Sequence, residues 1–240
     1  MGKKAKHIKY DLKISLPFYK VIYSIVFMAL LLIVRGISMS GEVLVVLEPN
    51  VGLLAGVFLA DNYYKEFSNG NIQVFYRYSL AKKMSAVCRR YIIGCIYLWI
   101  LVVIAYVLYM VLYYPLDFTY KKNMYIMINT LGVCGVSILF FGTLSFTITN
   151  FAQNVGIGIG IFLGIWLGLN SMFSRSLPKC LQLFLLEESS QQQGDFTPYY
   201  ISRFVYLILT ILLISLNVYA LKKEPKYKKK EWGYRHENTN

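Results

Sequence analysis

Long uninterrupted apolar runs constrain this chain more than any other feature. A helix needs about 20 apolar residues to cross a hydrocarbon core of roughly 30 Å, and several runs in these 240 residues reach that length. Charged residues make up only 15% of the chain, against about 25% in a soluble domain. The runs do not alternate between polar and apolar residues as barrel strands do. The sequence therefore predicts an all-α polytopic membrane protein.

Six transmembrane helices are expected. Their predicted bounds are Pro17–Arg35, Val43–Ala60, Tyr91–Tyr113, Met124–Thr147, Phe151–Met172 and Tyr200–Leu221. The chain then divides into an amphipathic segment over 1–16, a six-helix transmembrane domain over 17–221 and a basic tail over 222–240. Within the domain, two connections are long: the inner one over 61–90 and the outer one over 173–199.

The distribution of charge orients these helices. With the N-terminus inside, three inner segments hold 19 of the 25 basic residues: six up to Lys20, six in the loop over 61–90, and seven in the tail. The 12 acidic residues divide evenly between the two sides, so the excess of +13 lies inside. By the positive-inside rule, both termini are expected to be cytoplasmic. The basic tail suits anionic lipid headgroups, and this placement argues against a nucleic acid as the partner.

The first residues are basic but carry a spaced set of aliphatic side chains. Ile8, Leu12 and Leu16 lie four residues apart, so a helix would place them on one face. Such a helix is predicted to lie on the inner membrane surface with that face down, and Pro17 would turn the chain into the first span. The alternative is a disordered basic leader.

Glu48 is an acid inside the second predicted span, and two interpretations are open. It is either a buried acid facing a pathway, paired with Arg35, or a residue near the outer interface that caps a helix starting at Pro49. The second interpretation is preferred from the sequence.

The fifth span carries small residues at a regular spacing. Gly156, Gly160, Gly164 and Gly168 recur every four residues and form a groove along one helix face. In lipid, such a groove lets two helices approach closely. The sequence predicts tight packing or a dimer interface here, and leaves open whether the partner helix belongs to this chain or to a second copy.

Several kinds of chemistry are excluded by missing residues. The histidines, His7 and His236, both lie in the tails, which excludes a histidine-based metal site or general base within the membrane. The chain has no G-x-x-x-x-G-K-[ST] sequence and so no P-loop for ATP. We therefore expect no catalytic, cofactor-binding or metal-binding residue in this chain, which is not an enzyme by itself.

The inner loop is polar but patterned. Asn69–Gly70 is a turn dipeptide, and Ile72, Phe75 and Tyr76 then recur at helical spacing. The pattern predicts a short amphipathic helix held off the membrane by two helical stems, with exposed apolar residues that fill a groove on a cytoplasmic partner. In the outer loop, the apolar half is too short to span and is predicted to be re-entrant or interfacial; an ordinary amphipathic loop is the alternative.

This layout resembles the permease subunit of ABC-2 type transporters. That family has an amphipathic N-terminal helix, six spans, a coupling helix between spans two and three, and re-entrant segments between spans five and six. The stretch KEFSNGNIQVFYRYSLAKKMSAVCRRYI is similar to the family pattern of an acid, Asn-Gly, a short helix and a basic residue. Carried over by position, the acid and turn are Glu66, Asn69 and Gly70, the basic residue is Lys82 or Lys83, and the coupling helix contains Ile72, Phe75, Tyr76 and Tyr78. The outer LPKCLQLFLL stretch matches the re-entrant region, whereas the aromatic FYRY leaves the subfamily open.

The resemblance implies a division of labour. A separate cytoplasmic ATP-binding subunit would hold ATP and Mg²⁺ and dock on the coupling helix, and a second permease copy or a paralogue would complete the pathway. The first and fifth spans would lie near that dimer interface, where the glycine groove fits. The expected activity is export of an amphipathic cargo (an antimicrobial or toxin-like peptide, a lipid or a drug) across a bacterial plasma membrane, as in small permeases of peptide export and immunity. The alternatives are an ion-coupled carrier or channel, and a non-catalytic membrane adaptor or sensor.

Overall fold

The fold consists of helices throughout the described part of the chain. The computed structural model describes residues 10–37, 42–62, 79–113, 120–171 and 197–222, together with Ser176, Pro178 and Gln182. Its six helices, in chain order, are α1 Phe18–Val34, α2 Glu42–Leu59, α3 Leu80–Tyr113, α4 Tyr120–Ala152, α5 Val155–Leu169 and α6 Thr197–Lys222. Residues 10–15 add a short helical segment before α1, and these ranges contain no β-strand. The all-α prediction is confirmed.

Four helices are long and apolar enough to cross a membrane. They are α2, α3, α4 and α6. The other two, α1 and α5, have 17 and 15 residues, which corresponds to about 26 and 22 Å at a rise of about 1.5 Å per residue. The structure therefore establishes four candidate spans where the sequence predicts six, and the six-span arrangement stays a prediction.

Helix α3 extends well beyond its predicted start. It begins at Leu80 rather than Tyr91 and has 34 residues, or about 50 Å, which exceeds the thickness of a hydrocarbon core. The added residues, LAKKMSAVCRR, contain neither glycine nor proline and several strong helix formers. Their charges shortened the predicted membrane span, but they do not interrupt the helix.

Helix α5 is shorter than predicted at both ends. Gln153 has a φ of 51°, in the left-handed region, and breaks the chain after α4. Asn154 then caps α5, because its side-chain oxygen accepts hydrogen bonds from the backbone N–H groups of Gly156 and Ile157 at 2.9 and 3.3 Å. The short connection expected near Asn150 is thus confirmed, with the boundary a few residues later.

Contacts on α1 fix the directions of the first three helices. Lys20, at the start of α1, pairs with Asp61, just after the end of α2, so α1 and α2 are antiparallel. The Tyr109 hydroxyl, near the end of α3, donates to the Leu31 carbonyl at 3.1 Å. The same carbonyl, in the last turn of α1, also accepts the Arg35 backbone N–H at 3.0 Å. Helices α1 and α3 are therefore parallel.

The remaining helices continue the alternation. Tyr106, late in α3, contacts the Asn123 carbonyl early in α4. Trp166, late in α5, donates to Pro49 in α2, so α5 runs opposite to α2. Phe140 of α4 contacts Tyr206 of α6, and Thr147 of α4 contacts Asn217 of α6. Helices α4 and α6 are therefore parallel. Helices α1, α3 and α5 thus run one way and α2, α4 and α6 the other. The start of α1 and the end of α6 share one end of the bundle, which we call the basic end.

The centre of the bundle is α2. Twelve of its 18 residues are buried, and its main contacts are with α4. Two glycines make this packing close. A Cβ atom on Gly56 would lie 1.9 Å from the Phe162 ring, and one on Gly52 would lie 2.5 Å from the Phe141 ring. Aromatic rings from α4 and α5 therefore occupy the space that side chains on α2 would need.

The outward surfaces of the other helices are apolar. Phe18 and Ile33 on α1, Val111 on α3 and Ile211 on α6 are among the exposed aliphatic and aromatic residues. Burial of polar groups with exposure of apolar ones is the pattern expected when lipid surrounds a bundle. The outward surfaces of α1, α3 and α6 are thus suited to a membrane.

The Gly56 contact makes a prediction about stability. Gly56→Ala should lower the free energy of unfolding by about 1–3 kcal/mol, because the added methyl group overlaps the fully buried Phe162 ring. Gly132→Ala is the matched control: its Cβ would have nothing within 4 Å, so it should leave stability unchanged or raise it by up to about 1 kcal/mol. Denaturant unfolding in detergent micelles measures both. Equal stability of the two variants would contradict this packing.

Candidate functional site

A buried ion pair joins α2 and α6 inside the bundle. The Glu48 side chain on α2 accepts a hydrogen bond from the Ser137 hydroxyl of α4 at 3.0 Å. The Arg203 guanidinium of α6 forms a salt bridge with the same carboxylate oxygen. Glu48 is 1% exposed and Arg203 is 5% exposed. Three helices therefore each place one polar side chain at a single point in the core.

The interpretation of Glu48 as a cap before Pro49 is wrong, because α2 begins at Glu42 and contains Pro49. Proline is tolerated inside membrane helices, and two side chains bond backbone carbonyls close to Pro49. Here the Trp166 indole N–H donates to the Pro49 carbonyl at 3.1 Å. The Asn50 side chain donates to the Val46 carbonyl at 2.8 Å. Glu48 thus occupies the helix interior, as the first interpretation supposed.

The basic partner of Glu48 is Arg203, whereas Arg35, suggested as the partner from the sequence, is the C-cap residue of α1. Arg203 is one of the six basic residues that the charge count leaves on the outer side, although the predicted sixth span, Tyr200–Leu221, contains it. It lies within α6, because that helix begins at Thr197. Sequence reasoning therefore missed the cation that balances Glu48.

Charge pairing explains how these groups can be buried in this bundle. An isolated charge within the hydrocarbon region is costly, and removing one partner of a buried pair typically costs about 3–5 kcal/mol. Helices α2 and α6 have little other contact, since α6 packs mainly on α4. The Glu48–Arg203 pair is thus the principal link between them.

A second polar contact ties α6 to α4 nearer the basic end. The Asn217 amide donates to the Thr147 hydroxyl at 2.6 Å, and the Asn150 amide donates to the Asn217 oxygen at 2.7 Å. Arg203, Thr210 and Asn217 are all buried. They lie seven residues apart, so they share one face of α6 over about 21 Å. We call this face the polar seam.

The basic end has its own buried ion pair. The Lys20 ammonium is 2% exposed and donates to both the Phe58 carbonyl and the Asp61 carboxylate. It also lies 4.7 Å from the centroid of the Phe58 ring, a cation–π distance. The start of α1 is thereby fixed to the end of α2.

A third ionic contact fixes the start of α3. Asp11, in the helical segment before α1, accepts from Arg89 at 2.8 Å and from Arg90 at 3.3 Å. With the Lys20–Asp61 pair, this contact means that residues 10–20 are bonded to both sides of the stretch over 63–78. The end of α2 and the first part of α3, which flank that stretch, are therefore held by one short segment of the chain.

The segment over 10–15 has an unusual distribution of side chains. Asp11 and Ser15 are buried against the protein, whereas Tyr10, Leu12 and Ile14 are exposed. Pro17, extended at ψ 149°, separates the segment from α1 as expected. Leu12, which belongs to the predicted apolar face, is thus exposed, and the contact of that face with the inner membrane surface stays a prediction.

Helix α3 projects past the end of α2 at the basic end. A Cβ atom on Gly94 would meet the Leu59 side chain, so Gly94 is level with the last residue of α2. The helix starts at Leu80, about 21 Å away along its axis. This projection is the basic helical stem that the sequence pattern predicts before the third span.

The other predicted site residues fall into two groups: those outside the described ranges and the glycines of α5. The coupling-helix residues lie outside the described ranges: Glu66, Asn69, Gly70, Ile72, Phe75, Tyr76 and Tyr78. Most of the outer loop over 173–199 also lies outside them. The predicted glycine groove is described, and its face is open. Cβ atoms on Gly160, Gly164 and Gly168 would have nothing within 4 Å, while one on Gly156 would approach only its own cap, Asn154.

The glycine of α5 that packs against the rest of the described chain is Gly158, which lies off the groove. A Cβ atom on Gly158 would lie 2.8 Å from the Thr149 backbone and 2.3 Å from its hydroxyl. The contact between α4 and α5 thus uses the opposite face from the groove. A signal for the missed Arg203 was also present, because polar residues at a seven-residue interval in an apolar helix indicate a shared buried face.

Comparisons with family models, with curated proteins and with solved structures find no match for this chain. Within the ranges that the structure describes, no three His, Cys, Asp or Glu side chains are grouped as ligands for a metal. The chemistry that the described arrangement offers is therefore charge pairing and hydrogen bonding between helices.

The Lys20–Asp61 pair makes a prediction at the basic end. Asp61→Asn should lower the free energy of unfolding by about 3 kcal/mol, because it leaves the buried Lys20 ammonium without a carboxylate. Adding Lys20→Met should recover at least half of this loss. Tyr19→Phe is the control and should cost less than about 1 kcal/mol, since its bond to Asp61 is long at 3.4 Å and exposed. Unfolding in micelles tests the set; a double variant no more stable than Asp61→Asn would contradict a pairing role.

Proposed function

We propose that this chain is the permease subunit of an ATP-driven ABC-2 type exporter. The observation that carries the proposal is the arrangement at the basic end. The end of α2 and the start of α3 flank residues 63–78, α3 projects about 21 Å past the end of α2, and salt bridges tie both to residues 10–20. Force applied to the connecting loop would reach α1, α2 and α3 together.

The helix directions support six crossings with both termini on the cytoplasmic side. Six helices alternate in direction, and the start of α1 and the end of α6 share the end that carries most of the basic residues. Helices α1 and α5 fall short of a full crossing by about 4–8 Å as regular helices, so adjoining residues complete their passage. The positive-inside rule then places the basic end in the cytoplasm.

In this proposal, the energy for transport comes from a separate cytoplasmic subunit that binds ATP and Mg²⁺. That subunit docks on Ile72, Phe75, Tyr76 and Tyr78. The cargo is an amphipathic molecule, with a peptide, a lipid and a drug as the candidate classes. The membrane is the plasma membrane of a bacterium. The chain itself supplies the pathway and the lever, and it performs no hydrolysis.

A second permease copy or a paralogue completes the proposed complex. The open face of Gly160, Gly164 and Gly168 supports this step, because in the described chain no side chain approaches it within 4 Å. Close approach of two helices along such a face is favoured in lipid. The same face would make α5 a natural interface between the two copies.

The docking proposal predicts the effect of two loop variants. Phe75→Glu with Tyr76→Glu should remove the ATPase subunit from the purified complex, or abolish the coupling of ATP hydrolysis to transport, because charged side chains cannot fill an apolar groove. Phe118→Glu, the same change in the connection between α3 and α4, should retain the subunit. Co-purification from membranes with the cognate ATPase measures both. Full binding and transport by the loop variant would overturn the docking assignment.

The interface proposal predicts the effect of filling the glycine face. Gly160→Leu and Gly164→Leu should weaken self-association about tenfold or more while leaving monomer stability nearly unchanged, since their Cβ atoms enter open space. Gly132→Leu is the matched control on an open face of α4. A single cysteine at Ile161 should crosslink between copies, whereas one at Leu212 on α6 should not. The absence of crosslinking at Ile161 would remove α5 from the interface.

An ion-coupled carrier is the second candidate function. The buried Glu48–Arg203 pair favours it, because ionisable groups inside a membrane bundle commonly belong to ion pathways. The two candidates differ in a liposome assay with the chain alone. A carrier or channel moves ions without any ATPase, and an exporter permease does not.

A further inference from the structure

The polar seam of α6 differs from the rest of the membrane-facing surface of that helix. Its residues Arg203, Thr210 and Asn217 are each about 5% exposed, while Phe204, Ile211 and Leu212 on other faces are more than half exposed. The seam faces α4, the main neighbour of α6. Polar groups are thus concentrated where two parallel helices meet.

The seam is closed by different contacts at different levels. Arg203 binds Glu48 at one level, and Asn217 binds Thr147 and Asn150 at another. Between them, the Phe140 and Tyr206 rings pack edge to face with centroids 4.5 Å apart. The Thr210 hydroxyl donates to the Tyr206 carbonyl of its own helix at 2.8 Å. Its donor is therefore satisfied within α6, without a partner on α4.

Packing alone secures α6 less well than it secures α2. Most of α2 is buried among aromatic rings and helix backbones, whereas α6 has its apolar faces outward and few neighbours besides α4. The Glu48–Arg203 pair is the contact that reaches past α4 to the centre of the bundle. Movement of α6 away from the bundle would therefore have to break this pair as well as the Asn217 contacts with α4.

We infer that the interface between α4 and α6 is a gated pathway for polar groups, and that the Glu48–Arg203 pair is its gate. The inference rests on the proposal that the chain is a transport protein. Opening the pair exposes a carboxylate, a guanidinium and the Ser137 hydroxyl to whatever enters, and these groups suit the polar portion of an amphipathic cargo. The apolar portion would remain against lipid.

Cys134 provides a native reporter for this gate. It lies one turn from Ser137 on the same face of α4 and is fully buried. Glu48 and Arg203 lie near enough to Cys134 to act on it electrostatically. When the gate is closed, a water-soluble thiol reagent cannot reach this side chain; when it is open, the reagent can.

The test measures the reaction of Cys134 with a membrane-impermeant methanethiosulfonate cation in membranes. The full-length chain carries alanine in place of Cys88, Cys95 and Cys180. Glu48→Gln and Arg203→Gln should each raise the reaction rate about tenfold or more. The charge-swapped variant, Glu48→Arg with Arg203→Glu, should return it to within about threefold of the starting chain.

A control separates opening of the gate from loss of the fold. Leu98→Cys, with Cys134 also replaced by alanine, places the only thiol in the α1–α2–α3 core, where Leu98 is 1% exposed. It should stay unreactive in all three backgrounds. An unchanged rate at Cys134 would overturn the inference. Equal acceleration at both positions would also overturn it, because the pair would then hold the whole bundle together.

The charge-swapped variant also distinguishes charge pairing from side-chain shape as the cause of closure. If it reacts as fast as the single variants, side-chain shape rather than charge pairing closes the interface, and the gate assignment fails. The assay contains no ATPase, so its outcome is independent of whether a nucleotide-binding subunit docks on the loop. Failure of the gate and failure of the exporter proposal are therefore distinguishable.

Discussion

The contact on which the rest of this bundle depends is the close packing of α2 against α4. Gly52 leaves room on α2 for the Phe141 ring of α4, and Gly56 leaves room beside it for the Phe162 ring of α5. In lipid, such packing must supply much of the association energy, because the hydrophobic effect does not favour one apolar neighbour over another. The same packing places Glu48 beside Ser137 of α4 and within reach of Arg203. A single close helix contact thus creates both the core and its buried charge.

Three ionic contacts then fix helices that packing leaves less constrained. Asp11 binds the start of α3, Lys20 binds the end of α2, and Glu48 binds α6. Each joins residues more than forty positions apart in the sequence. A hydrocarbon environment makes unpaired charges costly, so each pair specifies which helices are neighbours. Apolar side chains alone would specify this less sharply.

The sequence predicted the parts of the fold that depend on composition and local pattern. The helical class, the order of the elements and the short turn after Asn150 follow from hydropathy and spacing. The extension of α3 was recognised as a basic helix leading to the membrane, although its continuity with the span was not. These features need no knowledge of which helix lies beside which.

The predictions that were wrong concern which residues are neighbours in three dimensions. Glu48 was treated as a cap because a proline follows it, and its partner Arg203 lies 155 positions later. The glycine groove was recognised, but hydropathy does not reveal which face of α5 meets α4, and the packed glycine is Gly158. The length of α5 also differs, because Gln153 breaks the backbone at a point that apolar composition does not mark.

Helix α2 connects the two ends of the proposed mechanism. Asp61, beside the inner loop, and Glu48, at the proposed gate, are 13 positions apart on one helix and its final turn, a separation of about 20 Å. A displacement that shifts α2 along its axis relative to α6 would change the Glu48–Arg203 distance directly, because the pair joins these two helices. Pro49 lies one residue from the acid, and a proline inside a helix is a natural point of bending. Helix α2 and its final turn therefore carry an ion pair beside the inner loop, a proline and a buried charge pair in sequence. Under the exporter proposal, the proline is the bending point and the second pair is the gate on which the loop would act.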